Sequence, residues 1–336
     1  ILDAVEATNP GLAQLYQQRG EVQSLRGDIQ AALKDFTRGL ERKPEAFARA
    51  VLLAARGQAY AKLLTPDRAL ADLEEAARLA PDMPEILGSL AQFHATSGRQ
   101  EVALHTINRA LVRSPKDANL RAIKGQILSR LGRAEEAEAL LLDLLKSQPQ
   151  NVAARGNLAV TLLSQGKFSA ALRELTAVLE TSPNNTTALL NRAAVYQGLK
   201  RFKEAYADLA RIKAITPDDA RPYVFEADLR LAQGEFKKAL QAADEGLKCD
   251  PRATAAHNMR GLALLQLDRK EESRAAFQLA LSLDPNNVRI KLGWLNFLLA
   301  DRRHAEAKTA IQEILKLAPG APNAKQLKDL LKQLGG

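Results

Sequence analysis

The sequence predicts an all-α fold, a solenoid of stacked antiparallel helix pairs, and three observations predict it. First, ten of the fourteen prolines share one register: Pro10, Pro44, Pro81, Pro115, Pro149, Pro183, Pro217, Pro251, Pro285 and Pro319. Their spacings are 34, 37 and then 34 seven times running, and a fixed period of that length marks stacked repeats. Second, two positions inside the period are held small. Twelve residues before each proline from Pro44 onward stand Ala32, Ala69, Ala103, Ala137, Ala171, Ala205, Ala239, Ser273 and Ala307. Twenty-four before stand Gly20, Gly57, Ala91, Gly125, Ala159, Ala193, Ala227, Gly261 and Leu295. Third, only 4% of residues are aromatic while 46% are hydrophobic, the profile of helices packed by small and branched aliphatic side chains.

Each element of the period follows from these registers. Two small positions mark two close helix approaches. Seventeen residues before the proline, Gly27, Gly98, Gly132, Gly166 and Gly234 mark a turn, since glycine accepts the positive φ that ends a helix. Leu64, Lys200, Asp268 and Arg302 interrupt that glycine register. The proline ends the second helix, which it cannot continue. In the unit ending at Pro183, Phe168, Ala171, Leu172, Leu175, Val178 and Leu179 form one apolar stripe at helical spacing. A lone hairpin cannot bury that stripe, so successive units must stack.

Small–Gly–Ala–Pro at these spacings resembles the tetratricopeptide repeat. The resemblance implies a right-handed superhelical solenoid with nine repeats over 13–321: 13–46, 50–83, 84–117, 118–151, 152–185, 186–219, 220–253, 254–287 and 288–321. Three extra residues near Glu45 to Arg49 account for the spacing of 37. Leu295 and Ser273 depart from the small positions, and an aromatic late in the first helix survives only as Tyr60 and Tyr196. Residues 1–12 read as the truncated helix of a preceding repeat, so the chain is expected to come from a longer parent. Residues 322–336 read as a capping helix, with Lys325, Lys328, Asp329 and Lys332 interleaved among leucines.

Candidate chemistry is sparse. Cys249 is the sole cysteine, which rules out an intrachain disulfide and a cysteine metal site. His94, His105, His257 and His304 fall in different repeats or faces without zinc-site spacing; His94 occupies the register of Tyr60 and Tyr196 and reads as packing. No phosphate loop or nucleophile elbow is present, and the glutamate pairs 74–75, 135–136 and 271–272 point apart on helices. No enzyme, metal or cofactor is expected. Asn184-Asn185-Thr186-Thr187 holds glycosylation-type triplets but also reads as a capped loop. The net charge of +9 is uneven: residues 1–117 balance 15 Lys/Arg against 15 Asp/Glu, whereas the remainder is basic, which favours acidic partners. Nucleic acid is not expected, because aromatics are scarce and basic residues alternate with acids. No run approaches the ~18 apolar residues of a membrane span, and the chain is expected to be soluble, cytoplasmic or periplasmic.

The resemblance implies that the first helices of successive repeats line a concave groove that takes another protein or a peptide segment, acidic or apolar in character. Positions two, five, nine and twelve of each first helix should face it. In the first four repeats they supply Gln14, Gln17, Glu21, Gln58, Glu85, Gln92, Asn119 and Gln126, an amide-lined half. Later repeats supply Leu163, Leu190, Val224, Leu262, Leu265, Leu292 and Leu299, with Asn157, Asn191, Asp228, Asn258 and Asn296 nearby, a more apolar half. No lysine occupies position five, so the carboxylate clamp of chaperone-binding members is not expected. The leading reading is a non-catalytic scaffold. Its alternatives are a repeat arm of an envelope, secretion, polysaccharide-export or glycosyltransferase assembly, and a self-assembling solenoid.

Overall fold

Each proline-to-proline interval folds into two helices. In the computed structural model, which describes residues 13–321 and 323–335, these are α1 (Ala13–Leu25) and α2 (Ile29–Glu41), α3 (Ala46–Lys62) and α4 (Pro66–Leu79), α5 (Pro84–Thr96) and α6 (Gln100–Arg113), α7 (Ala118–Arg130) and α8 (Ala134–Ser147), and α9 (Val152–Ser164) and α10 (Phe168–Thr181). The series continues with α11 (Thr186–Gly198) and α12 (Phe202–Ile215), α13 (Arg221–Ala232) and α14 (Phe236–Cys249), α15 (Thr254–Gln266) and α16 (Lys270–Leu283), α17 (Val288–Ala300) and α18 (His304–Leu317), closed by α19 (Ala324–Gly335). No strand occurs among the described residues, and none of their helices is long and apolar enough to cross a membrane. The helix expected over residues 1–12 lies outside the described residues.

The chain divides into two compact units, Ile1–Val178 and Leu179–Gly336. The first has cores around Phe36, Leu53 and Leu73 and around Leu87, Ile107 and Ile127. The second has cores around Ala243 and Met259 and around Phe277, Phe297 and Ile311.

The Ala register is where the helices of a pair meet. All nine of its residues, Ser273 included, are fully buried. Serine is tolerated because its hydroxyl donates to the carbonyl of Gly261 at 2.8 Å, across the close approach itself, leaving no buried polar group unpaired. At the other small register, glycines pair with large side chains sixteen residues on. A Cβ on Gly20, Gly57, Gly125 or Gly261 would come within 3.0 Å of Phe36, Leu73, Leu141 or Phe277. Ala171→Leu should therefore cost about 1–3 kcal/mol through overpacking. Lys167→Ala loses only an exposed ion pair to Glu138 (2.7 Å), worth at most about 1 kcal/mol. Equal urea midpoints for the two variants would refute the packing register.

The turn register keeps one conformation whatever residue occupies it. Leu64, Lys200, Asp268 and Arg302 have φ between 54° and 59°, and the five glycines there are also positive. In every case the turn residue's own amide and the next one close the helix end; Lys200 N–H donates to Gln197 O (2.9 Å) and Arg201 N–H to Tyr196 O (2.8 Å). This paired bonding satisfies the last helical carbonyls and holds a side chain where it is disfavoured. Lys200→Gly relieves that strain, offset by glycine's greater freedom when unfolded, and should stabilise by up to about 1 kcal/mol. A lower denaturation midpoint for the variant would contradict this.

The residues before the prolines, such as Ala80, Ser114, Gln148 and Thr216, sit at φ near −134°, out of the helix as proline's ring requires of its predecessor. The three extra residues are absorbed as one more turn at the start of α3, which has 17 residues where α1, α5 and α7 have 13. Arg49 of that turn bonds Glu75 at 2.8 Å. Asn185 caps α11 by accepting from Ala188 N–H at 3.0 Å.

Candidate functional site

The first helices line clefts in both units, and of the expected groove residues Glu21, Gln58, Gln92, Asn119, Val224 and Asp228 stand on their walls. In the first unit a cleft of about 460 Å³ lies between α1, α3 and α5, lined by Glu21, Ser24, Val51, Ala54, Gln58 and Glu85 among others. A second, of about 580 Å³, lies between α3, α5 and α7, lined by Gln58, Glu85, Gly88, Gln92, Asn119 and Ile123 among others. They share Gln58, Lys62, Glu85 and Ser89 and so form one trough. The second unit has a smaller cleft of about 370 Å³ lined by Leu190, Arg221, Val224, Asp228, Ala255 and Arg289 among others. Position five differs between them: Ala54 and Gly88 stand in the first trough, Leu120 of the next repeat packing close on Gly88, whereas Leu190 and Val224 line the cleft of the second unit.

The expected groove residues divide by surroundings. Gln14, Glu21, Gln58, Asn119 and Asn296 are exposed. Gln17, Gln92, Gln126, Leu163 and Asn191 are half-buried. Several amides are already engaged: Gln17 donates to Glu21 (2.9 Å), Gln58 to Ser89 Oγ (2.7 Å), and Asn157 to the Ala122 carbonyl (2.9 Å) in the preceding first helix. Asp228 accepts from Arg289 at 2.8 Å and from Gln197 at 3.3 Å.

Two expectations are corrected. Asn258 is 2% exposed, with its Oδ1 against Gly293 of the next repeat, where a Cβ would lie 2.4 Å away. It is an interior residue, buried because the neighbouring glycine makes room for it. Leu262 and Leu265 are half-buried and pack on the Phe277–Leu295 core, and Val224 packs on the Met259 core, so part of the apolar half is inter-repeat packing. The sequence reading passed over Arg221 and Arg289. Both stand at position two, and only attention to charge at that position would have found them. Leu25, Met83 and Asp117 come from helix ends and loops, which a helix-face rule omits.

The titratable groups are organised for structure. Asp72 and Asp208 hydrogen-bond Arg56 and Arg192 and raise their pKa values. Burial pushes the Cys249 thiol up, reinforced by Asp218 and Glu245, so it is a poor nucleophile at neutral pH. Among the described residues no three His, Cys, Asp or Glu side chains group as a metal site. His94 is 5% exposed, its Nδ1 has no hydrogen-bond partner, and it meets Phe93 edge-on. Burial lowers its pKa, with Arg99 adding to the effect and Glu74 opposing it. The fold therefore prefers the neutral ring. Above an unfolded pKa of about 6.5 both states are neutral and full stability is present; as pH falls below it only the unfolded chain gains the proton, and stability is lost down to the folded pKa. The melting temperature should drop between pH 7.5 and 5.5, and by less in His94→Phe. An undiminished drop in the variant would exclude His94 as the cause.

Against known proteins, one tetratricopeptide repeat model matches residues 124–172 and 226–288, and another matches 65–127 and 162–229. Together they run without a gap from 65 to 288, two thirds of the chain. No curated protein matches the sequence. Among solved structures, a tetratricopeptide repeat protein from Parabacteroides merdae aligns with TM-score 0.60 and 19% identity, over 75% of this chain and 98% of that one. A chain of the APC/C hetero-tetramer Cut9–Hcn1 aligns with TM-score 0.62 and 14% identity, over 96% and 76%. A chain of the human IFIT1 dimer with m7Gppp-AAAA aligns with TM-score 0.66 and 15% identity, over 96% and 81%. At these identities the likeness is one of fold.

Proposed function

Because the chain belongs to the tetratricopeptide-repeat family, we propose that it is a non-catalytic scaffold that holds a partner polypeptide in the clefts between its first helices. The observation that carries this reading is the trough of the first unit, where exposed carboxamides stand over an apolar floor. Amides both donate and accept, so Gln58, Gln92 and Asn119 can bond the backbone of a bound segment without reading its charge. Val51 and Ile123, half-buried in its walls, offer contact to its apolar side chains. In the second unit, Val224 and Asp228 hold the corresponding place.

The half-burial of Leu262 and Leu265 makes charge substitutions there a test of folding rather than of binding. A cleaner test places a photo-crosslinking side chain at Gln58, Asn119 or Ala255, inside the clefts, and at Glu74 or Arg211, exposed on second helices. Crosslinks to one polypeptide from the cleft positions only are the expected result in material from the native source. Crosslinks confined to Glu74 and Arg211 would move the working surface to the second helices and overturn the reading.

A further inference from the structure

We infer that the trough of the first unit selects a polypeptide segment that carries lysine or arginine beside its apolar side chains, against the basic balance of the whole chain. The inference rests on the cleft reading above and adds the chemistry of the occupant. Four charged side chains line the trough: Glu21, Glu85 and Asp117 are acidic, and Lys62 is basic. None of the three carboxylates has an ion-pair partner among the described residues. Glu21 accepts from the neutral Gln17, and Asp117 caps α7 by accepting from Leu120 N–H (2.9 Å). Lys62 bonds Ser24 Oγ at 3.1 Å.

The cleft of the second unit differs in its charges. There Arg221 is held by Asp219 (2.7 Å) and Arg289 by Asp228 (2.8 Å), and Asp250, which accepts from Arg252 N–H at 2.9 Å, is the one lining carboxylate without an ion pair among the described residues. The first trough keeps Glu21 and Glu85 without a cationic partner, and Asp117 at the N-terminus of α7, against the single cation Lys62, along an apolar concavity where low-dielectric walls focus their field. Apolar side chains enter between Ala54 and Gly88, and cationic heads meet the carboxylates at the edge. Complementary charge of this kind decides partner choice and association rate more than bulk affinity.

The test uses the full chain, immobilised, and a displayed library of random 12-residue peptides as the probe. The wild type should enrich Lys and Arg over Asp and Glu by roughly fivefold per contacted carboxylate at low salt, the upper end for an exposed ion pair, and the bias should fade at high salt. Glu21→Lys with Glu85→Lys should turn the enrichment to acidic peptides, and Ser89→Trp, which fills the trough, should abolish it. Enrichment removed by Ser89→Trp but neutral or acidic in composition would overturn this inference and leave the cleft reading standing. Enrichment unaffected by Ser89→Trp, or none at all, would overturn both. Should the double variant fail to fold, the salt dependence of peptide binding by the wild type decides: no weakening between low and high salt sinks the inference.

Discussion

Phe277→Ala should destabilise the second unit by about 3–5 kcal/mol, the range for emptying a fully buried aromatic site. Phe277 has no exposed surface. Its ring occupies space that two glycines leave open: a Cβ on Gly261 would lie 2.9 Å from it and one on Gly293 2.8 Å. Trp294 and Phe297 flank the ring with centroids 6.3 Å away. Glycine has no side chain to move into the void, so the site cannot collapse. Urea unfolding followed by fluorescence reads this unit directly, because Trp294 is the sole tryptophan and stacks on Phe297 at 5.0 Å. A loss below about 1 kcal/mol would mean that the repeats close over the space, against the general behaviour of packed cores.

Asp208→Ala should cost about 3 kcal/mol, the lower end for breaking a buried ion pair by removing one member. Asp208 is 4% exposed and takes both Nε (2.7 Å) and Nη2 (2.6 Å) of Arg192. The stranded guanidinium keeps only its contact with the Tyr196 ring, at 5.7 Å. Arg19–Asp35 and Arg56–Asp72 repeat the arrangement, whereas the third repeat has Leu90 and Thr106 at the same two positions. Arg192→Leu with Asp208→Thr imports that solution and should stay within about 1 kcal/mol of wild type, since apolar replacement of a buried pair is often neutral. If the double variant is as unstable as Asp208→Ala, the pair contributes more than charge compensation.

The first of these variants turns on a rule that sequence alone could not supply. The small register is visible as Gly20, Gly57, Gly125 and Gly261 in a row of alanines, yet only the structure shows that each glycine faces a Phe or Leu sixteen residues later. The candidate site divides in the same way. Of the residues that position numbers placed on the groove face, Glu21, Gln58, Gln92, Asn119, Val224 and Asp228 line the clefts. The interior position of Asn258 and the half-packed state of Leu262 and Leu265 were not.

The 34-residue period by itself determined the helix pairs, the turns between them and the close approaches. Those features depend on local backbone preferences and on spacing, which recur unchanged in every repeat. Even at Leu64 and Lys200, where glycine is missing, the hydrogen bonds of the helix end impose the same turn. Only the tertiary structure decided which groove residues remain accessible, how deep each cleft is, and which carboxylates go unpaired. Those depend on the side chains that the next repeat brings alongside, 34 residues away, and no periodic rule encodes their volume or charge.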